Sequence, residues 1–206
     1  MSPSADPAPA VALLDVTESV LEQLLELALR DADADEVTPP LGTAAGWNTD
    51  RISWFREFHR AAAAGLDGPA RQKSWAISCD GQLAGSIRLM RAGAEAAGSV
   101  PAVRAAAGEA GAAVPAEGAG EGSAGGAVLE TGIWLARGFR GRGVGREALR
   151  LVKARAASDG ATALVAETTA GNVAALALLK SAGAELVTGA ASDTETVPVK
   201  GRIPLT

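Results

Sequence analysis

The sequence predicts a single domain of the α/β class, built on a mixed sheet with four helices. Three observations predict it. The 206 residues are 48% apolar, enough for a single core, and read as one domain or one domain plus ornament. Apolar runs of strand type alternate with apolar stripes at helical spacing along the chain. Near the middle, Glu130 to Val152 reads ETGIWLARGFRGRGVGREALRLV, a strand that passes through a glycine–arginine turn into a helix.

The elements follow in chain order. Val11 to Asp15 (VALLD) is a short apolar run and the first strand. Thr17 or Ser19 caps the first helix, with Ser19 and Glu22 at capping-box spacing. Val20, Leu21, Leu24, Leu25 and Ala28 share one face, and the helix ends near Arg30. Asp31 to Glu36, followed by Pro39-Pro40 and Gly42, reads as an acidic loop. A second helix starts near Asn48 or Thr49 and runs to about Ala64, with Ile52, Phe55, Phe58 and Ala62 on its apolar face. Gln72 to Cys79 and Gln82 to Arg91 flank Asp80-Gly81. Both turn residues of such a hairpin take φ > 0, which that dipeptide tolerates.

The texture then changes. Residues 92–126 are almost wholly Ala, Gly, Glu, Pro, Ser and Val and read as a low-complexity, mostly disordered insertion. Residues 1–9 read as a disordered tail, which leaves 10–206 as the domain proper. The fourth strand starts at Glu130. Beyond the glycine–arginine turn and its helix, Ala163 to Thr168 is a strand. Gly171-Asn172 opens a helix that Gly183 ends, and Glu185 to Thr188 and Val197 to Ile203 are the last two strands.

Composition narrows the class of function. The net charge of −5 argues against general nucleic-acid binding. One cysteine, Cys79, excludes an internal disulfide and fits a reducing, cytoplasmic setting. No apolar run reaches membrane-spanning length, and the N-terminus lacks the basic and apolar regions of a signal peptide. Against the acidic total, Arg137, Arg140, Arg142, Arg146, Arg150, Lys153 and Arg155 face one acid in their stretch, Glu147.

Gly141, Gly143 and Gly145 alternate with Arg140, Arg142, Val144 and Arg146. Glycines let backbone N–H groups approach a ligand, and the following helix turns its positive end to the same place. That combination is an anion site, with phosphate the usual anion. A P-loop string is absent, and the dinucleotide fingerprint fails because Arg146 stands where its third glycine belongs. A ligand-free strand–turn–helix is the bland reading. Arg140-Gly141-Arg142-Gly143-Val144-Gly145 matches the pyrophosphate loop [Q/R]-x-x-G-x-[G/A] at every fixed position. It resembles that of the GNAT superfamily of N-acetyltransferases, and the flanking Glu130–Leu135 resembles the fourth strand of the branch acting on protein N-termini and aminoglycosides.

The resemblance implies a mostly antiparallel sheet whose fourth and fifth strands splay apart. It implies acetyl-CoA as donor and no metal. The backbone of Arg142, Gly143, Val144 and Gly145 would hold the pyrophosphate, helped by the charge of Arg140, Arg142 and Arg146, with Gly141 shaping the turn. The pantetheine arm would pair with Ile133, Trp134 and Leu135, and Asn172 would contact it. The competing reading of Asn172 is a plain helix N-cap. For the base that the amine needs, Glu130 is the first choice and Glu167 the second, with a surface carboxylate as the rival reading of Glu167. A strand-four amide near Ile133 or Leu135 would meet the oxyanion. Relatives often carry a tyrosine seven residues beyond the asparagine; here that position is Leu179, and the chain has no tyrosine.

Other residues have less to offer. His59, the single histidine, reads as packed rather than catalytic, Cys79 has no visible base, Trp54 reads as core, and Trp47 as core or acceptor pocket. The acidic segment Asp31 to Glu36 would favour a cationic acceptor or be merely solvated. The expected activity is acetyl transfer to a primary amine: a small molecule, an antibiotic or a protein N-terminus, with no nucleic acid or membrane partner. A homodimer stays open because relatives often pair. The rival class is a non-catalytic acyl-CoA binding module.

Overall fold

A computed structural model describes residues 9–43, 45–91, 127–189 and 197–205. The expected N-terminal tail, apart from its last residue, and the expected insertion at 92–126 lie outside them. The described elements are β1 (Val11–Asp15), α1 (Glu18–Asp31), α2 (Ala34–Val37), α3 (Thr49–Ala61), β2 (Gln72–Cys79) and β3 (Gln82–Arg91). After the insertion come β4 (Ala127–Leu135), α4 (Val144–Ser158), β5 (Ala161–Thr169), α5 (Val173–Ser181), β6 (Glu185–Thr188) and β7 (Pro198–Pro204).

The strands form one seven-stranded sheet in the order β1-β2-β3-β4-β5-β7-β6. Every neighbouring pair is antiparallel except β4 and β5, which run parallel. Their pairing extends from Ala127 opposite Ala161 to Glu130 opposite Val165 and no further. Beyond it, Thr131–Leu135 keeps its bonds to β3 on one side, and Ala166–Thr169 keeps its bonds to β7. The two strands therefore part at Glu130, which is the expected splay.

Helices cover both faces. Leu21, Leu24, Leu25 and Ala28 of α1 pack with Phe55 of α3 and Ala76 of β2 on one side. Ala148, Leu149, Val152 and Ala156 of α4 pack with Ile87, Leu89, Leu129 and Leu164 on the other. Leu24 and Leu164 are fully enclosed. Truncating such a leucine to alanine costs about 2–5 kcal/mol. Among the described residues no helix is long and apolar enough to cross a membrane.

Three expectations need correction. Thr17 caps α1, accepting from the Val20 amide, so Ser19 lies inside the helix and the expected capping box does not form; Glu22 pairs instead with Arg56 at 2.6 Å. The acidic segment is not loop throughout: Ala34–Val37 makes one helical turn, too short to leave a periodic signal. The fourth strand starts at Ala127, three residues before the expected Glu130, which puts Glu130 inside the strand. The hairpin matches its expected bounds, with Asp80 and Gly81 at φ 51° and 80°.

Candidate active site

The glycine–arginine turn leaves the start of α4 open. Gly141 and Gly143 take φ of 74° and 81°, in the left-handed region that favours glycine. The first helical bond of α4 runs from the Glu147 amide to the Gly143 carbonyl, so the amides of Val144, Gly145 and Arg146 have no partner within the helix. α1, α3 and α5 each close this end with a side chain, from Thr17, Asn48 and Asn172. α4 has Gly143 there and no such cap. Free amides at a positive helix end suit a diphosphate, so the residues present fit the group that the motif implies.

These amides open onto a cleft of about 560 Å³. Ile133, Trp134 and Leu135 line it from β4, Arg140, Gly141, Gly143, Gly145 and Arg146 from the turn, and Asn172, Ala175 and Leu178 from the α5 side. Two expected donor-site residues, Arg142 and Val144, are not among those that line the cleft. Val144 is wholly buried in the core beneath the turn. The Arg142 guanidinium sits 5.5 Å from the Phe139 ring centroid and donates to the Gly138 carbonyl at 3.4 Å. Their backbone amides still belong to the turn.

The arginines divide their charge. Arg146 lines the cleft without an ion pair among the described residues. Arg140 donates through Nε to the Leu135 carbonyl at 2.8 Å and pairs with Glu36 at 3.1 Å. Glu36 itself lines the cleft. Arg137 meets Asp33 at 3.6 Å, and the buried Arg51 meets Asp35 at 2.6 Å. The acids of the α1–α3 connection are thus tied to cations of the chain rather than simply solvated. Arg150 is engaged by Glu147 at 2.6 Å, and Arg150 holds that carboxyl below its usual range.

Across the sheet, on the face covered by α1 and α3, a polar group surrounds the point where β4 and β5 part. Glu130 pairs with Arg88 of β3 at 2.9 Å. The Arg88 side chain is 8% exposed, its carboxylate partner 27%. Burial pulls the Arg88 guanidinium down from its usual range, against the raising effect of Glu130. Its central carbon lies 5.7 Å from the Phe58 ring centroid. Next to it, His59 Nδ1 is 3.0 Å from the Ser74 hydroxyl. Burial, and then the charge of Arg88, lowers the His59 pKa to about 3, so the ring is neutral and packed.

The remaining expectations find these places. Glu167 is exposed on β5 and 3.3 Å from Lys200. Asn172 Oδ1 caps α5, accepting from the Ala175 amide at 3.0 Å, while the residue also lines the cleft. Leu179 is buried against Gly201 and Leu186 and offers no acid. Cys79 is buried, and burial followed by its bond to Asp80 raises its thiol pKa. Trp47 donates to the Ala32 carbonyl and meets Phe55 edge-on; Trp54 stacks on Phe58 at 4.8 Å. Sequence reasoning missed Arg88, and it read Glu36 as facing the acceptor or solvent, whereas Glu36 lines the cleft beside Arg140. Arg88 left one signal: a lone cation between Ile87 and Leu89 in a strand otherwise apolar at its centre.

An uncapped helix start, a cleft running to β4 backbone that β5 does not pair and a carboxylate at the strand divergence together suit an acyl-CoA-dependent transferase. Residues 27–184 match the acetyltransferase (GNAT) family. The chain belongs to that family and is an acetyl-CoA-dependent N-acetyltransferase. No curated protein matches it by sequence. Solved structures share the fold at low identity. RimL, the ribosomal L7/L12 α-N-protein acetyltransferase solved with coenzyme A, superposes with a TM-score of 0.61 at 14% identity, covering 95% of this chain and 94% of its own. The GNAT domain of S. lividans PAT gives 0.56 at 16%, covering 95% and 90%. The yncA protein of Salmonella typhimurium, solved with acetyl-CoA, gives 0.55 at 13%, covering 96% and 95%.

Proposed function

We propose that the chain acetylates a primary amine by direct attack on acetyl-CoA in a ternary complex. The observation that carries this is the uncapped start of α4, opening into a cleft that continues to the unpaired backbone of β4. The amides from Arg142 to Arg146 hold the diphosphate, and Arg140 and Arg146 add charge. Ile133, Trp134 and Leu135 take the pantetheine arm, with Asn172 beside it. Bound acetyl-CoA supplies the activated acetyl group. The amine nitrogen forms a bond to the acetyl carbon, the carbon–sulfur bond breaks, and the departing sulfur takes its proton from water. Glu130, directly or through water, takes the proton from the amine. Its place at the strand divergence favours it over Glu167, which stands at the surface with Lys200.

The acceptor is a small amine, an antibiotic or a protein N-terminus. RimL's action on a ribosomal protein N-terminus supports the last of these by fold alone. The single buried thiol, Cys79, supports a cytosolic setting. Calorimetric titration with CoA, followed by thiol release with a serine-initiated peptide, a polyamine and an aminoglycoside, tests the reading. Binding and turnover on at least one amine are expected. Silence at millimolar CoA overturns it, and binding without turnover on any amine leaves an acyl-CoA binding module.

A further inference from the structure

Arg88 is an expensive residue to keep where it is. A buried guanidinium loses most of its hydration, and one ion pair rarely restores all of it. Its surroundings are nevertheless built around it. Ser74 stands opposite on β2, Phe58 of α3 covers its guanidinium, and the Thr131 hydroxyl donates to the Arg88 carbonyl at 2.9 Å, fixing β3 to β4 at this level. Its partner across β4 is Gly132, which presents no side chain. On this face of β4 only bare backbone therefore lies between Glu130 and Trp134, at the start of the strand divergence.

Exposure separates the roles of the pair. With its side chain 8% exposed, Arg88 is closed to an incoming acceptor, whereas Glu130, at 27%, is open to one. We propose that Arg88 is a positioning residue for acetyl transfer: its enclosed guanidinium fixes the Glu130 carboxylate where β4 and β5 part and does not itself touch the acceptor. The proposal rests on Glu130 acting as the base. A carboxylate swings freely about its side-chain bonds, and an error of about 1 Å in a reacting group can cost a hundred-fold in rate. A charge-assisted bond from a guanidinium already held between Phe58 and β2 removes that freedom.

The test is a double-mutant cycle of Arg88→Met and Glu130→Gln, read as kcat and KM with whichever of the three amine probes the wild type acetylates. Arg88→Met is expected to lower kcat at least ten-fold with KM for acetyl-CoA unchanged. In the Glu130→Gln background the same change is expected to cost less than three-fold. Arg88→Lys keeps the charge but not the planar fork, and is expected to fall between wild type and Arg88→Met. Equal costs in both backgrounds overturn the proposal. So does a raised acceptor KM with kcat intact, which would make Arg88 a substrate contact. If Arg88→Met does not fold, Arg88→Lys carries the same cycle. A wild type that binds CoA and acetylates no probe defeats the underlying reading instead, and the proposal with it.

Discussion

Glu36 places a carboxylate in the cleft that is read as the diphosphate site, so neutralising it should tighten donor binding. The perturbation is Glu36→Gln, which keeps shape and removes charge. In the free protein Glu36 engages Arg140 at 3.1 Å, with side chains 22% and 43% exposed. A partly exposed pair of this kind contributes about 0–1 kcal/mol, and a diphosphate arriving at the same arginine must share or displace it. Repulsion between Glu36 and the diphosphate acts in the same direction. Together they amount to about 1 kcal/mol, or roughly five-fold in Kd. Arg140 keeps its orientation without Glu36, because Nε is already bound to the Leu135 carbonyl at 2.8 Å. Calorimetric titration with CoA reads the affinity directly. The gain should shrink at high salt, where such charges are screened. Unchanged or weaker binding by Glu36→Gln would refute the reasoning and make the carboxylate a support for Arg140.

Glu130→Gln should lower kcat by about a hundred-fold while leaving CoA affinity within two-fold, since general base catalysis contributes roughly 10²–10⁴; stopped-time thiol assays and calorimetry check the two halves. His59 is neutral in the fold, with a pKa of about 3, and takes up a proton near 6.5 once unfolded. The unfolded chain therefore binds the extra proton between those values, and stability falls as pH drops below 6.5. At pH 5 the loss is about 2 kcal/mol, and His59→Gln should show a flatter acid limb in urea titrations from pH 7 to 5. A Cβ at Gly85 would lie 2.1 Å from the Trp134 carbonyl oxygen, at a φ of 152°. Gly85→Ala should cost about 3 kcal/mol or more in urea unfolding, because backbone rather than a side-chain tip must move.

The β2–β3 hairpin was legible because Asp80-Gly81 satisfies a backbone requirement that few dipeptides meet. The strand–turn–helix around the glycine–arginine turn was legible because its glycines and arginines are adjacent in the chain. Contacts between distant residues were not. Arg88 and Glu130 are 42 positions apart, and only the β3–β4 register brings them together. Arg140 and Glu36 are 104 apart, so the acidic segment looked like a solvated or acceptor-facing loop instead of a partner of the turn. The capping-box reading of Ser19 and Glu22 had correct spacing, but the helix starts at Glu18 with Thr17 as its cap, and Glu22 is left to pair with Arg56 of the neighbouring helix at 2.8 and 2.6 Å. Glu130 was placed at a strand start because Ala127–Leu129 merges with the alanine-rich insertion before it.

The open end of α4 has a consequence for stability as well as for binding. Three of the long helices cap one of their first amides with a side chain; α4 has no such cap, and on the proposed reading the donor meets its amides instead. Occupancy by the donor at a hundred times its Kd would add about 2.7 kcal/mol to the folded state by mass action. Without the donor that increment is lost, so melting with and without acetyl-CoA should differ in the direction of a more stable occupied protein.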